Sequence, residues 1–350
     1  MNDTNTIDQV LAVFQKDLAL SSSEVSELVK ADVSLVTVKR YLGKLSKEGF
    51  LLQSGAGRSV KYTLTKKGVL LKSIDVEEYL RVEPDNRLAN SRFQHDIFEP
   101  PFVQLFDKKE LAQLDEATQI FRHRAKNIEA SLREKELLRF IVEFSWKTSQ
   151  IEGNTYDLLS TERLLLYGEK SSTNTEFEAQ MILNQKRAIE FILEDTASWQ
   201  QPSLPRIEKL HSFVADELGI AKNLRSSLVG ITGTNYRPLE NEFQIREAVV
   251  QLLTYIEGAN NTYAKALLSV LGLSYIQPFV DGNKRTSRLL GNALLISHNL
   301  PPLSYRSVDD RTYKEATLLF YEQNTIVPFK KIFIDQYIFS SENYNFGYDS

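Results

Sequence analysis

Residues 277–288 read QPFVDGNKRTSR, and their types and spacing suit the binding of a phosphate. Asp281 is a hard oxygen ligand, fit for a magnesium ion that bridges phosphates. Arg285 and Arg288 stand three apart, so on a helix they share a face and can both reach one polyphosphate. Gly282 opens that helix, with Asn283 and Lys284 in its first turn. N–H groups at a helix start cradle phosphate oxygens, and the helix dipole favours the anion. The loop is not a P-loop, because the GxxxxGKS or GxxxxGKT spacing is missing. At its head stands Gln277, whose amide donates and accepts hydrogen bonds but has no basicity near neutral pH. The plain alternative is a capped helix start with surface arginines.

The flanking pattern says what must hold this loop. Ala264, Leu267, Leu268 and Leu271 mark one face of a helix that ends near Ile276, because Pro278 disfavours helical geometry at Gln277. Leu289, Leu290, Ala293 and Leu294 mark the next helix. The motif is therefore a loop between two core helices. Upstream, residues 148–153 read TSQIEG at the end of an amphipathic helix marked by Leu137, Phe140, Ile141 and Phe144. Thr148 and Glu152 lie four apart, and Gly153 closes the helix. A third stretch, RSSLVGITGTNYRPLE at 225–240, predicts a β-hairpin over Ile231 to Tyr236 around Gly233. His211, in an apolar-flanked helix, reads as packing.

Phe279, Asp281, Gly282, Asn283, Arg285 and Arg288 resemble the HxFxDGNGRxxR pattern of the Fic domain family, in which Glu also occurs at the Asp position. That family is all-helical, and its members mostly move AMP from ATP onto a hydroxyl of a target protein. The resemblance implies that Asp281 binds magnesium, that Asn283, Lys284 and the loop amides of Gly282 and its neighbours hold phosphates, that both arginines neutralise them, and that Phe279 anchors the loop. Gln277 stands where the family has the histidine that deprotonates the attacking hydroxyl, and general base catalysis typically contributes about 10²–10⁴-fold. Lys284 stands where many members have glycine; a lysine also occurs in the phosphate-transferring Doc-like branch. TSQIEG is similar to the family's inhibitory motif, in the class where the inhibitory helix precedes the core. By that resemblance Glu152, with Thr148 and Gly153, pairs with Arg288 and excludes a terminal phosphate. The stretch Ile231, Thr232, Gly233 and Thr234 matches the family's flap, which docks an extended segment of the target by strand addition.

The N-terminal seventy residues have a different character. A first helix is predicted over Ile7–Asp17, a second from Ser21–Ser23 to about Lys30, and after the turn ADVS a third from Ser34 to Glu48. Leu35, Val38, Leu42 and Leu45 form its apolar stripe, with Thr37, Arg40, Lys44 and Lys47 opposite. FLLQSGAGRSVKYTLT then predicts a hairpin with Arg58 and Lys61 near its tip. This order resembles the winged helix-turn-helix family, which implies DNA binding through Thr37, Arg40, Lys44, Lys47, Arg58 and Lys61. A protein-docking module is the alternative.

Composition fits these parts. The 350 residues suit more than one domain, with 42% apolar and 25% charged residues as in globular proteins. Lys39, Arg40, Lys44, Lys47, Arg58, Lys61, Lys66 and Lys67 face one acid, Glu48, within 34–70, although the whole chain carries −4. Such a basic island on an acidic chain suggests a polyanion partner. With no cysteine, thiolate metal sites and thiol nucleophiles are excluded, and four scattered histidines do not suggest zinc. No apolar run nears the roughly 20 residues that span a bilayer, and MNDTNTIDQV has no signal-peptide pattern; a cytoplasmic protein is expected, with an oligomer left open.

The expectation is a mostly α chain: a winged helix-turn-helix domain at 1–70, an irregular and helical connection at 71–130, and an all-helical Fic fold with a small β-hairpin flap at 131–345. The inhibitory helix is placed at about 135–153. Two functions stand side by side. One is a nucleotide-binding protein, taking ATP and magnesium, restrained by Glu152 and with weak or lost transfer. The other is an active protein adenylyltransferase or phosphotransferase.

Overall fold

The computed structural model describes residues 3–29, 33–97, 104–126 and 128–347. Lys30 and the Ala31–Asp32 part of the expected turn, and Pro100 and Pro101, lie outside the described residues.

The chain opens with α1 (Asp3–Ala12), α2 (Ser22–Leu28) and α3 (Leu35–Lys47), followed by β1 (Leu51–Ser54) and β2 (Lys61–Leu64). Ser21 and Glu24 form a reciprocal capping box at the start of α2, and Ser34 Oγ accepts the Thr37 N–H at the start of α3. β1 and β2 pair antiparallel, Leu51 opposite Leu64, and Leu20 exchanges backbone bonds with Tyr62 beside them. Val10, Phe14, Val25, Val38, Leu42, Leu45 and Leu51 close a core of their own. Two expectations are corrected. The first helix runs Asp3–Ala12 rather than Ile7–Asp17, because Phe14 and Leu20 turn into this core and Asp17 takes a left-handed φ of 62°. In α3, Tyr41 is buried while Leu35 is 38% exposed: the packed face begins one turn inside the helix.

α4 (Lys66–Leu71) and α5 (Val76–Leu80) lead onto a larger helical body. It comprises α6 (Lys108–Ala125), α7 (Ala130–Ile151), α8 (Leu158–Tyr167), α9 (Glu176–Glu194), α10 (Leu204–Val214), α11 (Glu242–Gly258), α12 (Thr262–Ile276), α13 (Asn283–Ser297), α14 (Asp310–Gln323) and α15 (Val327–Asn343). Its centre is the α12–α13 pair, buried on nearly every side by Leu267, Leu268, Leu271, Leu289, Leu290 and Leu294. The two helices approach closely at Gly291, where a Cβ would stand 2.6 Å from Val270 Cγ2. No described helix is long and apolar enough to cross a membrane.

The mostly helical class stands, but the hairpin expected over Ile231, Thr232, Gly233 and Thr234 does not form. Among the described residues the strands are β1 and β2. The stretch is a turn and extended coil whose polar groups bond elsewhere. Arg237 bridges Arg92 in parallel, Asn235 Nδ2 donates to Asp85 Oδ1, and the Tyr236 hydroxyl donates to the Tyr275 carbonyl in the core.

Candidate functional site

Loop 277–282 joins the C-terminus of α12 to the N-terminus of α13. Gln277 caps α12 in left-handed geometry, φ 51°, ψ 60°. Gly282 starts α13 at φ 80°, where a Cβ would meet Val214 Cγ1 at 3.1 Å and His211 Nε2 at 3.3 Å. Glycine is required there on both counts. The amides of Asn283, Lys284 and Arg285 form the first turn and have no carbonyl ahead of them in the helix. They point along the positive end of the α13 dipole.

The loop is held from several sides. Phe279 is fully buried and stacks on His211, ring centroids 3.6 Å apart and planes 2° apart. His211 Nε2 lies 2.9 Å from the Asp281 carbonyl. Burial pushes the His211 pKa down to about 4, so the ring is neutral near pH 7 and donates through Nε2 to that carbonyl. Arg225, 2% exposed, donates from Nε to the Gln277 carbonyl at 2.6 Å, and its own amide donates to the Pro278 carbonyl. The sequence gave no sign of Arg225, whose partners are backbone atoms some fifty residues away.

A pocket of about 400 Å³ opens between this loop, residues 229–232 and α14. Gln277, Asp281, Gly282, Asn283, Lys284, Arg285 and Glu152 line it, with Tyr313, Thr317 and Tyr321 of α14 opposite. Ile231 and Thr232 also line it; Gly233 and Thr234 do not. Gln277 is 7% exposed, and its side chain is engaged within the loop. Nε2 donates to the Ser274 carbonyl at 2.6 Å, and Oε1 accepts from Asn283 Nδ2 at 2.9 Å. Asn283 Nδ2 also donates to the Phe279 carbonyl, and its Oδ1 accepts the Phe279 N–H. With both amide hydrogens engaged, the Asn283 side chain braces the loop instead of offering the phosphate contact expected of it.

Arg285 is 2% exposed. Its Nη2 donates to Asp281 Oδ2 at 3.2 Å, while Nη1 is buried without a hydrogen-bond partner. Burial pulls its pKa down against Asp281 and Glu152, which means the guanidinium is short of negative charge. Arg288 is fully buried. It donates from Nε to Thr148 Oγ1 at 2.7 Å and from Nη2 to Glu152 Oε1 at 2.8 Å, with Tyr313 beneath its plane. Glu152 caps the C-terminus of α7, and Gly153 follows at φ 98°. Lys284 Nζ stands 3.8 Å from Glu152 Oε2, a second cation that spacing did not reveal. Burial opposes ionisation of Glu152, but Arg288, Lys284 and Arg285 outweigh it and hold its carboxyl below the usual range. Asp281 is mostly exposed at the rim, one carboxylate with an oxygen beside Arg285. That donor fits a magnesium ion that takes most of its ligands from phosphates and water.

The basic residues of the N-terminal unit lie apart from this pocket. Arg40, Lys44, Lys47, Arg58 and Lys61 are exposed on α3 and the hairpin, and Thr37 is half-buried in the α3 cap.

An all-helical body with a phosphate-type loop between two buried helices defines the Fic class of domain. Residues 201–295 match the Fic/DOC family model, so the chain carries a domain of that family. Relatives include the protein adenylyltransferase Fic of Drosophila mojavensis, 27% identical over 241 residues that cover 64% of this chain and 44% of the relative. The protein adenylyltransferase Fic of Nematostella vectensis is 38% identical over 91 residues, 24% of this chain and 21% of the relative. The chain thus spans less than half the length of these curated relatives. Among solved structures, Fic-1 from Caenorhabditis elegans aligns over 67% of this chain and 70% of its own, at TM-score 0.56 and 20% identity. A Fic domain containing signaling protein from Bacteroides thetaiotaomicron aligns over 66% and 94%, at TM-score 0.56 and 19% identity. These structures share the fold.

Proposed function

We propose that the pocket binds ATP or a related nucleotide, that Glu152 restrains this binding, and that transfer of AMP to a protein hydroxyl is weak or lost. The observation that carries the proposal is the Glu152–Arg288 contact at 2.8 Å. A buried arginine at the end of a phosphate-type loop is occupied by a carboxylate that stands in for a terminal phosphate. The unpartnered Arg285 Nη1, the first-turn amides of α13 and Lys284 supply the remaining donors for an anion. Asp281 would hold magnesium, which when bound bridges phosphate oxygens and neutralises their charge.

Gln277 argues against rapid transfer. It lacks a basic atom, and its Oε1 already accepts from Asn283. An active protein adenylyltransferase or phosphotransferase is the second proposal, supported by the name protein adenylyltransferase that the relatives carry. The N-terminal unit is proposed to bind DNA as a winged helix, supported by its exposed basic residues on α3 and the hairpin. The proposed division of the chain places that unit at 1–70, a connection at 71–130 and the Fic domain at 131–345.

Calorimetric titration with ATP and magnesium tests the core of this. Glu152→Gly is expected to bind at least tenfold more tightly than the natural protein, because an interior charge competitor has gone. If neither protein binds ATP, the pocket is not a nucleotide site. Transfer from ATP labelled at the α-phosphate, read with intact mass, then separates a binding protein from an enzyme: label on Glu152→Gly alone supports the enzyme.

A further inference from the structure

The wall formed by residues 229–232 has no strand partner of its own, yet it borders the pocket. What fixes it lies behind it, in the connection between the N-terminal unit and the helical body. Arg87 is at the centre. Its side chain is 7% exposed, and its Nη1 donates both to the Gly233 carbonyl at 3.0 Å and to Glu322 Oε1 at 3.2 Å. Its Nε and Nη2 donate to the Val82 and Leu80 carbonyls. One guanidinium therefore joins three pieces: the connection, the end of the wall, and α14, whose inner face lines the opposite side of the pocket. Neighbouring contacts repeat the theme. Asn235 Nδ2 donates to Asp85 Oδ1 at 2.9 Å, the Arg237 amide donates to the Ser91 carbonyl, and the Asn90 amide donates to the Glu322 carbonyl.

We infer that residues 84–92 act as a strap and that Arg87 is a positioning residue that sets the pocket wall relative to α14. It touches no nucleotide itself. Its effect on affinity rests on the nucleotide proposal above; its effect on the wall does not. Lysine at position 87 could keep the ion pair with Glu322, but one ammonium cannot also hold Gly233, Val82 and Leu80 in a planar fork. Arg87→Lys therefore separates fold stability from wall placement.

Hydrogen exchange of the amides in 229–237 is the first readout, in Arg87→Lys and in Asn235→Ala, an exposed position that cuts the strap without touching Arg87. Both are expected to exchange there roughly tenfold faster, the worth of one charge-assisted hydrogen bond, while α12 and α13 keep their protection. ATP titration in the Glu152→Gly background is the second, with roughly tenfold weaker binding when Arg87→Lys is added. Unchanged exchange in 229–237 for both variants overturns the strap, as does an equal rise in α12 and α13, which would signal general loosening. Faster exchange in a Glu152→Gly protein that binds no ATP would support the strap and sink the nucleotide proposal, so the two fail separately.

Discussion

Glu152 and Gln277 carry most of the chemistry at stake. Restoring a base is expected to reveal what the pocket can do: Glu152→Gly with Gln277→His should raise AMP transfer by about 10²–10⁴ over Glu152→Gly alone, read as α-phosphate label attached to protein. No gain would mean the loop does not present the α-phosphate. His211 gives a test by pH. Burial lowers its pKa to about 4, below its ordinary 6.5, so between those values the unfolded chain takes up a proton that the folded ring refuses. Stability should therefore fall as pH drops from 6.5 towards 4, by up to about 1.4 kcal/mol per unit for this group. Denaturant melts at pH 7 and 5 should show a smaller drop for His211→Phe, and an unchanged drop would clear His211 of the effect. Sequence spacing put Arg285 and Arg288 on one helix face. The partner of Arg288 was legible only by resemblance, since Glu152 lies 136 residues away. Arg225 and the Lys284–Glu152 contact were not legible at all, because each depends on tertiary placement of a lone charged residue.

Local signals wrote most of the elements. Ser21 with Glu24 and Ser34 with Thr37 are caps with their partners a turn away, and the α12 and α13 stripes are long and apolar. The stretch around Gly233 misled because turn residues flanked by β-formers look alike whether or not a partner strand exists. Here the partners are Asp85, Ser91 and Arg92, which no local pattern links to 231–237. The α12–α13 seam supplies the prediction at this scale. Gly291→Ala puts a methyl 2.6 Å from Val270 Cγ2, a stiff β-branched neighbour, and should cost about 1–3 kcal/mol in a denaturant melt. A change within error would mean the seam opens freely. Because α13 carries the loop's arginines, ATP affinity should fall with it.

Across the whole chain, the N-terminal unit meets the body through few but buried contacts. Lys72 Nζ donates to the Phe14 carbonyl, and burial lowers the Lys72 pKa to about 8. Between pH 8 and its ordinary 10.5 the unfolded chain holds a proton that the folded chain has lost, so this group's contribution to stability rises with pH through that window. Lys72→Met should flatten that rise, measured by melts at pH 7.5 and 9.5. DNA binding is tested separately: affinity for a mixed-sequence duplex should fall steeply with salt, and Arg40→Ala with Lys44→Ala should weaken it and lower the slope by about two phosphate contacts. No effect would make the unit a docking module.

The strap also orders events in time. The N-terminal core closes among the first 64 residues, so it can form while the rest of the chain is still being made. Arg87 must wait for Gly233 and then for Glu322 before its bonds are complete. During synthesis, then, the basic unit is finished long before the pocket wall is seated. A nascent chain halted ahead of α14 would carry a competent polyanion grip and a pocket with one side missing.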